Sequence, residues 1–417
     1  MQRNPVRHGR GNGVGQAATL ILIMSAAVLA PLLAHGAGRW ARIPVVIFEI
    51  VLGILIGPDV LGWAHGGDVI DVLSDLGLSM LIFLAGYEIQ FAEIRGDTLR
   101  RSVWAWVISL VLGLGLALAL TGFDPARAVI IGTALTSTAL GTVLPILRDS
   151  GDLDGRFGTV MMAFGAVGEF GPIIAISVLL SGRAPGVSTA VLAGFAAITA
   201  AAVFWALRPR PFWFTAVVRN TLHTSAQFAV RFVMLLLVAM LALSRAFGLD
   251  VLLGAFAAGL LTRLVLHSAA PESSAEVLQK VEAMGFGFLV PLFFIVTGIE
   301  FDLSSLLHGG RPLLLVPVFL VLFLLVRGLP AYLLAPRDLT PLSRRALTLY
   351  SAACLPLVVA ITTIGVDEHV LAKSDAAALV GAAMISVLVF PLLAMRLRAR
   401  ARKVRPELTR SAETESW

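Results

Sequence analysis

Charge is what this sequence has least of. Only 14% of its 417 residues are Asp, Glu, Lys or Arg, against 58% hydrophobic, where a soluble domain carries about a quarter charged residues. That scarcity excludes an ordinary water-soluble core, and a mean hydropathy of +0.90 agrees. Cysteine is almost absent too. The single thiol, Cys354, excludes an intramolecular disulfide and a cysteine metal cluster, and in the run LTLYSAACLPLVV it reads as inert and buried. All 7 histidines fall in tails, connections or segment ends, which gives no support to a metal centre or a buried histidine relay. No nucleophile–base set lies within the apolar runs, so neither an enzyme nor a cofactor is expected. The net charge of +6 is no sign of nucleic acid, because most of the Arg sits in short connections.

What the chain has instead is apolar runs of about 18 residues or more, each long enough to cross a bilayer as a helix. We expect thirteen: 17–35, 43–61, 70–91, 102–120, 127–147, 157–181, 187–207, 226–244, 249–266, 285–304, 312–335, 345–366 and 374–396. The fold class is therefore an all-α polytopic membrane protein, with no room for a soluble domain between spans. Residues 1–16 read as a disordered extracytoplasmic tail with no cleavage site after its basic start, and its glycines follow no strand. The segment 271–284, PESSAEVLQKVEAM, reads as a cytoplasmic amphipathic spacer. Residues 397–417 read as a basic cytoplasmic tail suited to anionic lipid. Of the 32 Lys and Arg, 22 fall after odd-numbered spans or in the C-terminal tail and 8 on the other side. Basic loops stay inside, so the N-terminus is expected outside and the C-terminus in the cytoplasm of a plasma-membrane protein.

The chain also resembles itself. LIFLAGYEIQF (81–91) and FFIVTGIEFDL (293–303) share a Gly followed two residues later by Glu, and VLGILIGPDVLG in the second span resembles LLGAFAAGLLTR in the ninth. Equivalents lie seven spans apart, and an odd offset inverts the second copy. Repeats of about 17–181 and 226–396 are expected, linked by the helix 187–207. Inverted repeats place a transporter's site at the midplane, among interrupted helices. The fifth span supplies Thr136, Ser137, Thr138, Gly141 and Pro145; the twelfth supplies Ser351 and Pro356. Proline leaves carbonyls free and interrupts helices, and carbonyls with hydroxyls are hard oxygen ligands for a small cation. Close helix packing is the other use of such small residues. Ser351 fits either use equally, whereas the Thr136–Thr138 cluster beside an acidic helix favours ligands.

That acidic helix is RFGTVMMAFGAVGEFGPIIAISVLLS (156–181). Glu169 lies thirteen residues from its start, about 20 Å in at the helical rise. A carboxylate at that depth is costly and by default marks an ion or proton path. Arg327 lies at similar depth in the eleventh span and is its natural charge partner. Glu49 sits mid-span without an evident role. Glu88, Glu300 and Arg231 lie near span ends, where charge is ordinary.

Taken in order, IPVVIFEIVLGILIGPDVLG, LSDLGLSMLIFLAGYEI, TSTALGTVLPIL, GLDVLLGAFAAGLL and PLFFIVTGIEFDL closely resemble the Kef-type branch of the monovalent cation:proton antiporter superfamily across about 17–396. The resemblance implies thirteen helices, a homodimer, an elevator-like core, two crossing broken helices, and the ion-binding carboxylate at Glu169. Such relatives often carry two polar or acidic residues side by side there. Here the pair is Gly168–Glu169, which points to electroneutral one-for-one exchange. Without the C-terminal nucleotide-binding domain of potassium-efflux relatives, gating by nucleotide or glutathione is not expected. The reading is an antiporter exchanging protons for Na⁺ or K⁺. A proton-linked carrier of a small organic solute and a non-exchanging channel or sensor are the alternatives.

Overall fold

In the computed structural model the described residues are 11–37, 43–88, 96–153, 155–179, 227–249, 251–269, 271–308 and 310–414, with scattered positions in 193–221. Among them every regular element is helical. The helices are α1 (Gly11–Ala37), α2 (Val45–Ile56), α3 (Asp68–Glu88), α4 (Asp97–Leu120), α5 (Pro125–Leu135), α6 (Leu140–Asp149), α7 (Arg156–Leu179), α8 (Phe228–Ala246), α9 (Val251–Ala269) and α10 (Pro271–Met284). After them come α11 (Val290–Ile299), α12 (Leu303–His308), α13 (Gly310–Phe323), α14 (Leu329–Leu334), α15 (Pro341–Ala352), α16 (Pro356–Asp367) and α17 (Lys373–Thr414). Among the described residues, ten stretches are long and apolar enough to cross a membrane, with Val45–Ile56 and Val251–Leu266 as shorter apolar helices. The expected spans correspond to these, except 187–207, which lies largely outside the described residues. Among the described residues, twelve of the thirteen expected spans are thus helical.

Two boundaries moved. Helix α1 already begins at Gly11, inside the expected tail, and α17 runs on to Thr414 across the stretch read as a tail. The extension beyond the last span is rich in Arg and Ala, both good helix formers. The spacer at 271–284 is helical and runs through a π turn, Gly285–Leu289, directly into α11.

The chain divides into two compact units, residues 1–81 with 279–308, and 82–278 with 309–417. In the first, Ile23, Ile56, Ile70, Leu292, Ile295 and Ile299 form a buried cluster. Helices α2 and α11 touch backbone to backbone: a Cβ on Gly53 would strike the Ile295 carbonyl, and one on Gly298 the Ile50 carbonyl. Small residues allow such approach in membranes, where association rests on packing.

In the second unit, the same device recurs between the end of α3 and α9, where Gly259 meets the Phe83 carbonyl and Gly86 the Phe256 carbonyl. Those segments are the ones that resemble α11 and α2 in sequence. Helices α5 and α15 begin alike. Asp124 Oδ1 accepts from Ala126 and Arg127 N–H at 3.1 and 3.3 Å ahead of Pro125, and Thr340 Oγ1 accepts from Ser343 N–H at 3.2 Å ahead of Pro341. A cap followed by proline is a strong helix start. Both helices then stop after three turns, and both stops fall in the candidate site.

Candidate functional site

The first break, in the fifth span, runs through Thr136–Ala139 and ends at Leu140, the start of α6. Its cause lies on α7. Pro172 has no N–H, so the carbonyl four residues back, Gly168 O, loses its helical donor; the Thr138 N–H takes it at 3.0 Å. Thr136 and Ser137 turn their hydroxyls onto the carbonyls of Thr133 and Ala134, each at 2.8 Å, a local closure that competes with the helix. The break thus falls upstream of two expected positions. Gly141 and Pro145 lie within α6, because capture of Thr138, not Pro145, interrupts the ladder.

The second break is Ala353–Leu355 in the twelfth span, with Ser351 in the last turn of α15 and Pro356 as the first residue of α16. The two breaks meet. Ala139 N–H donates to Ala353 O at 2.8 Å and Thr138 Oγ1 to Ser351 O at 2.7 Å. The orphan backbone groups at two helix ends are thereby partly matched to each other. Cys354 is buried, but its thiol lies 3.8 Å from the Ser386 hydroxyl and beside Ser137, so its surroundings are less apolar than the sequence suggests.

Glu169 is 2% exposed on α7, and its Oε2 has no hydrogen-bond partner among the described residues. Arg327, fully buried on a π turn at Leu324–Gly328, was expected to pair with it. No ion pair joins them within 4.0 Å. The guanidinium instead donates from Nε to Thr138 Oγ1 at 2.9 Å and from Nη2 to Phe164 O at 2.5 Å. It occupies the space beside Gly168, where a Cβ would collide with both Arg327 and Thr138. Arg327 therefore neighbours the carboxylate helix and ties it to the first break. Thr133 Oγ1, Ser351 Oγ and Arg327 Nη1 are also buried without partners. A crossing of two helix ends with unpartnered oxygens and one buried carboxylate can offer a small cation or a proton oxygen ligands at depth.

Phe170 stacks on Phe256 of α9 at 4.4 Å and Trp106 of α4 covers Gly171, walling the acidic helix with aromatics. At its N-terminal end, Asp152 receives Arg398 at 2.7 Å and Arg402 at 2.6 Å from α17. Arg156 donates to Asp338 at 2.6 Å, which holds the Asp338 carboxyl below its usual range. Sequence reasoning missed Pro172, Ser386 and Asp152. Only Pro172 left a readable signal, four residues after Gly168.

The sodium/hydrogen exchanger transmembrane family matches residues 23–395. A putative Na⁺/H⁺ antiporter, YjbQ of Bacillus subtilis, is 28% identical over 92% of this chain and 63% of its own length; the chain thus spans under two thirds of that relative. The Na⁺/H⁺-K⁺ antiporter GerN of Bacillus cereus is 26% identical over 62% of this chain and 66% of its own. Among solved structures, the sodium proton antiporter MjNhaP1 of Methanocaldococcus jannaschii superposes with a TM-score of 0.67 at 17% identity, covering 93% of this chain and 97% of that one. At that identity the likeness speaks to the fold.

Proposed function

The chain belongs to the sodium/hydrogen exchanger family, and on that premise we propose that it is a secondary antiporter exchanging protons for Na⁺ or K⁺ by alternating access. The observation that carries the proposal is Glu169: a mid-helix carboxylate, 2% exposed, with an unpartnered oxygen, one residue beyond the Gly168 carbonyl that the first break binds. A buried charge without a partner is costly, so the group favours being neutralised by a proton or a cation. Competition between the two for one carboxylate couples their fluxes. Thr136, Ser137, Thr138 and Ser351 are the proposed oxygen donors around it. Arg327 is the proposed charge partner at a distance, acting through Thr138 and not by direct contact.

The exchange is proposed to be electroneutral. Residue 168 has no side chain, and Arg327 fills its space, so one carboxylate serves one charge. The relatives are named for Na⁺ and for Na⁺ with K⁺, which supports either cation here. The same reading places a homodimer of the Kef-type branch in the plasma membrane, C-terminus inside.

The test is Glu169→Gln in proteoliposomes under a pH jump with Na⁺, K⁺, Li⁺ and small organic solutes in separate arms. Wild-type protein is expected to exchange Na⁺ or K⁺ without dependence on membrane potential, and the variant to lose at least a hundredfold in rate. Normal exchange by folded Glu169→Gln would refute the assignment.

A further inference from the structure

The second break has a defect that the first does not. Its residues, Ala353, Cys354 and Leu355, bring no hydroxyl, yet all three are fully buried. Unmatched backbone groups there would be expensive. The match comes from α17. Ser386, fully buried, accepts from Cys354 N–H at 3.2 Å and lies 3.1 Å from Cys354 O and 2.7 Å from Ala383 O, either of which its hydroxyl can serve as donor. A chain of bonds continues from there. Ala353 O holds Ala139 N–H, and Ser351 O holds Thr138 Oγ1, which holds Arg327 Nε. Thr138 N–H holds Gly168 O, next to Glu169.

We infer that Ser386 is a positioning residue for the exchange: it sets the conformation of the second break and, through it, the placement of the oxygen donors that meet the first break beside the Glu169 helix. It does not touch the transported ion. Neighbouring Ala383 and Ala382 are equally buried and offer no side-chain hydrogen bond, so no nearby group on α17 replaces the hydroxyl. The inference rests on the antiport reading.

The experiment compares wild type, Ser386→Ala and Ser386→Thr in proteoliposomes, measuring exchange per folded transporter against cation concentration, with thermal unfolding of the same samples. Ser386→Ala is expected to raise the KM for the cation roughly tenfold, the equivalent of one unmade buried hydrogen bond, with the maximal rate within about twofold. Ser386→Thr, which keeps the hydroxyl, is expected to restore KM to within about threefold of wild type. An unchanged KM in Ser386→Ala, with or without a lower unfolding temperature, would show a structural role only and overturn the inference. If Ser386→Ala does not accumulate folded, Ser386→Cys carries the test: an intermediate KM supports the inference, a wild-type KM overturns it. No exchange by wild-type protein of any monovalent cation would instead overturn the antiport reading, and the inference with it.

Discussion

The two interruptions that cross in the larger unit solve the same problem in opposite ways. The first, Thr136–Ala139, carries its own hydroxyls: two fold back onto α5, and the third, on Thr138, links Ser351 O to Arg327. The second, Ala353–Leu355, is apolar and takes its partner from Ser386 on another helix. The first break keeps its shape while α5 and α7, which hold its hydroxyls and the Thr138 N–H, stay together. A break that borrows its partner keeps its shape only while α17 stays seated, so the two differ in what can disturb them. The difference also separates roles. Side chains matter in the first break, and backbone groups in the second.

The comparison breaks most severely at Gly168. A methyl group there collides with Thr138 and with a guanidinium that is fully buried and twice hydrogen-bonded, so it has little room to retreat. Overpacking of this kind costs about 1–3 kcal/mol, and displacing charged hydrogen bonds adds about as much again. Gly168→Ala is expected to lower stability by about 4 kcal/mol in reversible detergent unfolding and to abolish exchange. A stable, active variant would mean that Arg327 is free to move off α7 and that the first break is not anchored by it.

How much of this was legible beforehand divides along the same line. Glu169, Thr136, Ser137, Thr138 and Arg327 were readable because each is a polar group in an apolar run, and the structure gathers Thr138, Arg327 and the Glu169 helix at one place. The apolar second break left no such mark beyond Ser351 and Pro356 beside it, and Ser386 looks like any lone serine in a span. The position of the first break was misjudged toward Gly141 and Pro145 because the decisive proline, Pro172, sits on a different helix. Nor could sequence show that Arg327 bonds to Thr138 in place of Glu169: the π turn that aims it follows from local backbone adjustment ahead of Pro330, not from the hydrophobic period.

A milder probe keeps the shape of the first break and removes its chemistry. Thr138→Val is nearly isosteric, but it leaves Arg327 Nε and Ser351 O without their present partner. Bonds to charged groups are worth about 1.5–3 kcal/mol, so a loss of about 2–3 kcal/mol is expected, with cation KM raised at least tenfold. Stability and KM both at wild-type values would show that the first break does not depend on its side chains, and the contrast with the second would fall.

The smallest effect is expected at the corresponding position of the second break. Ser386 holds Cys354 by its backbone N–H and carbonyl; the thiol itself lies 3.8 Å from the hydroxyl and beside Ser137. Cys354→Ala keeps both backbone groups and removes one sulfur from a buried site, a loss of the size of a small cavity, about 1 kcal/mol. Exchange per folded transporter, with its KM, is expected within about twofold of wild type. Set beside Thr138→Val, that result would assign the first break to its side chains and the second to its backbone. A Cys354→Ala variant as impaired as Thr138→Val would instead give the thiol, with Ser137 beside it, a share in holding the crossing together.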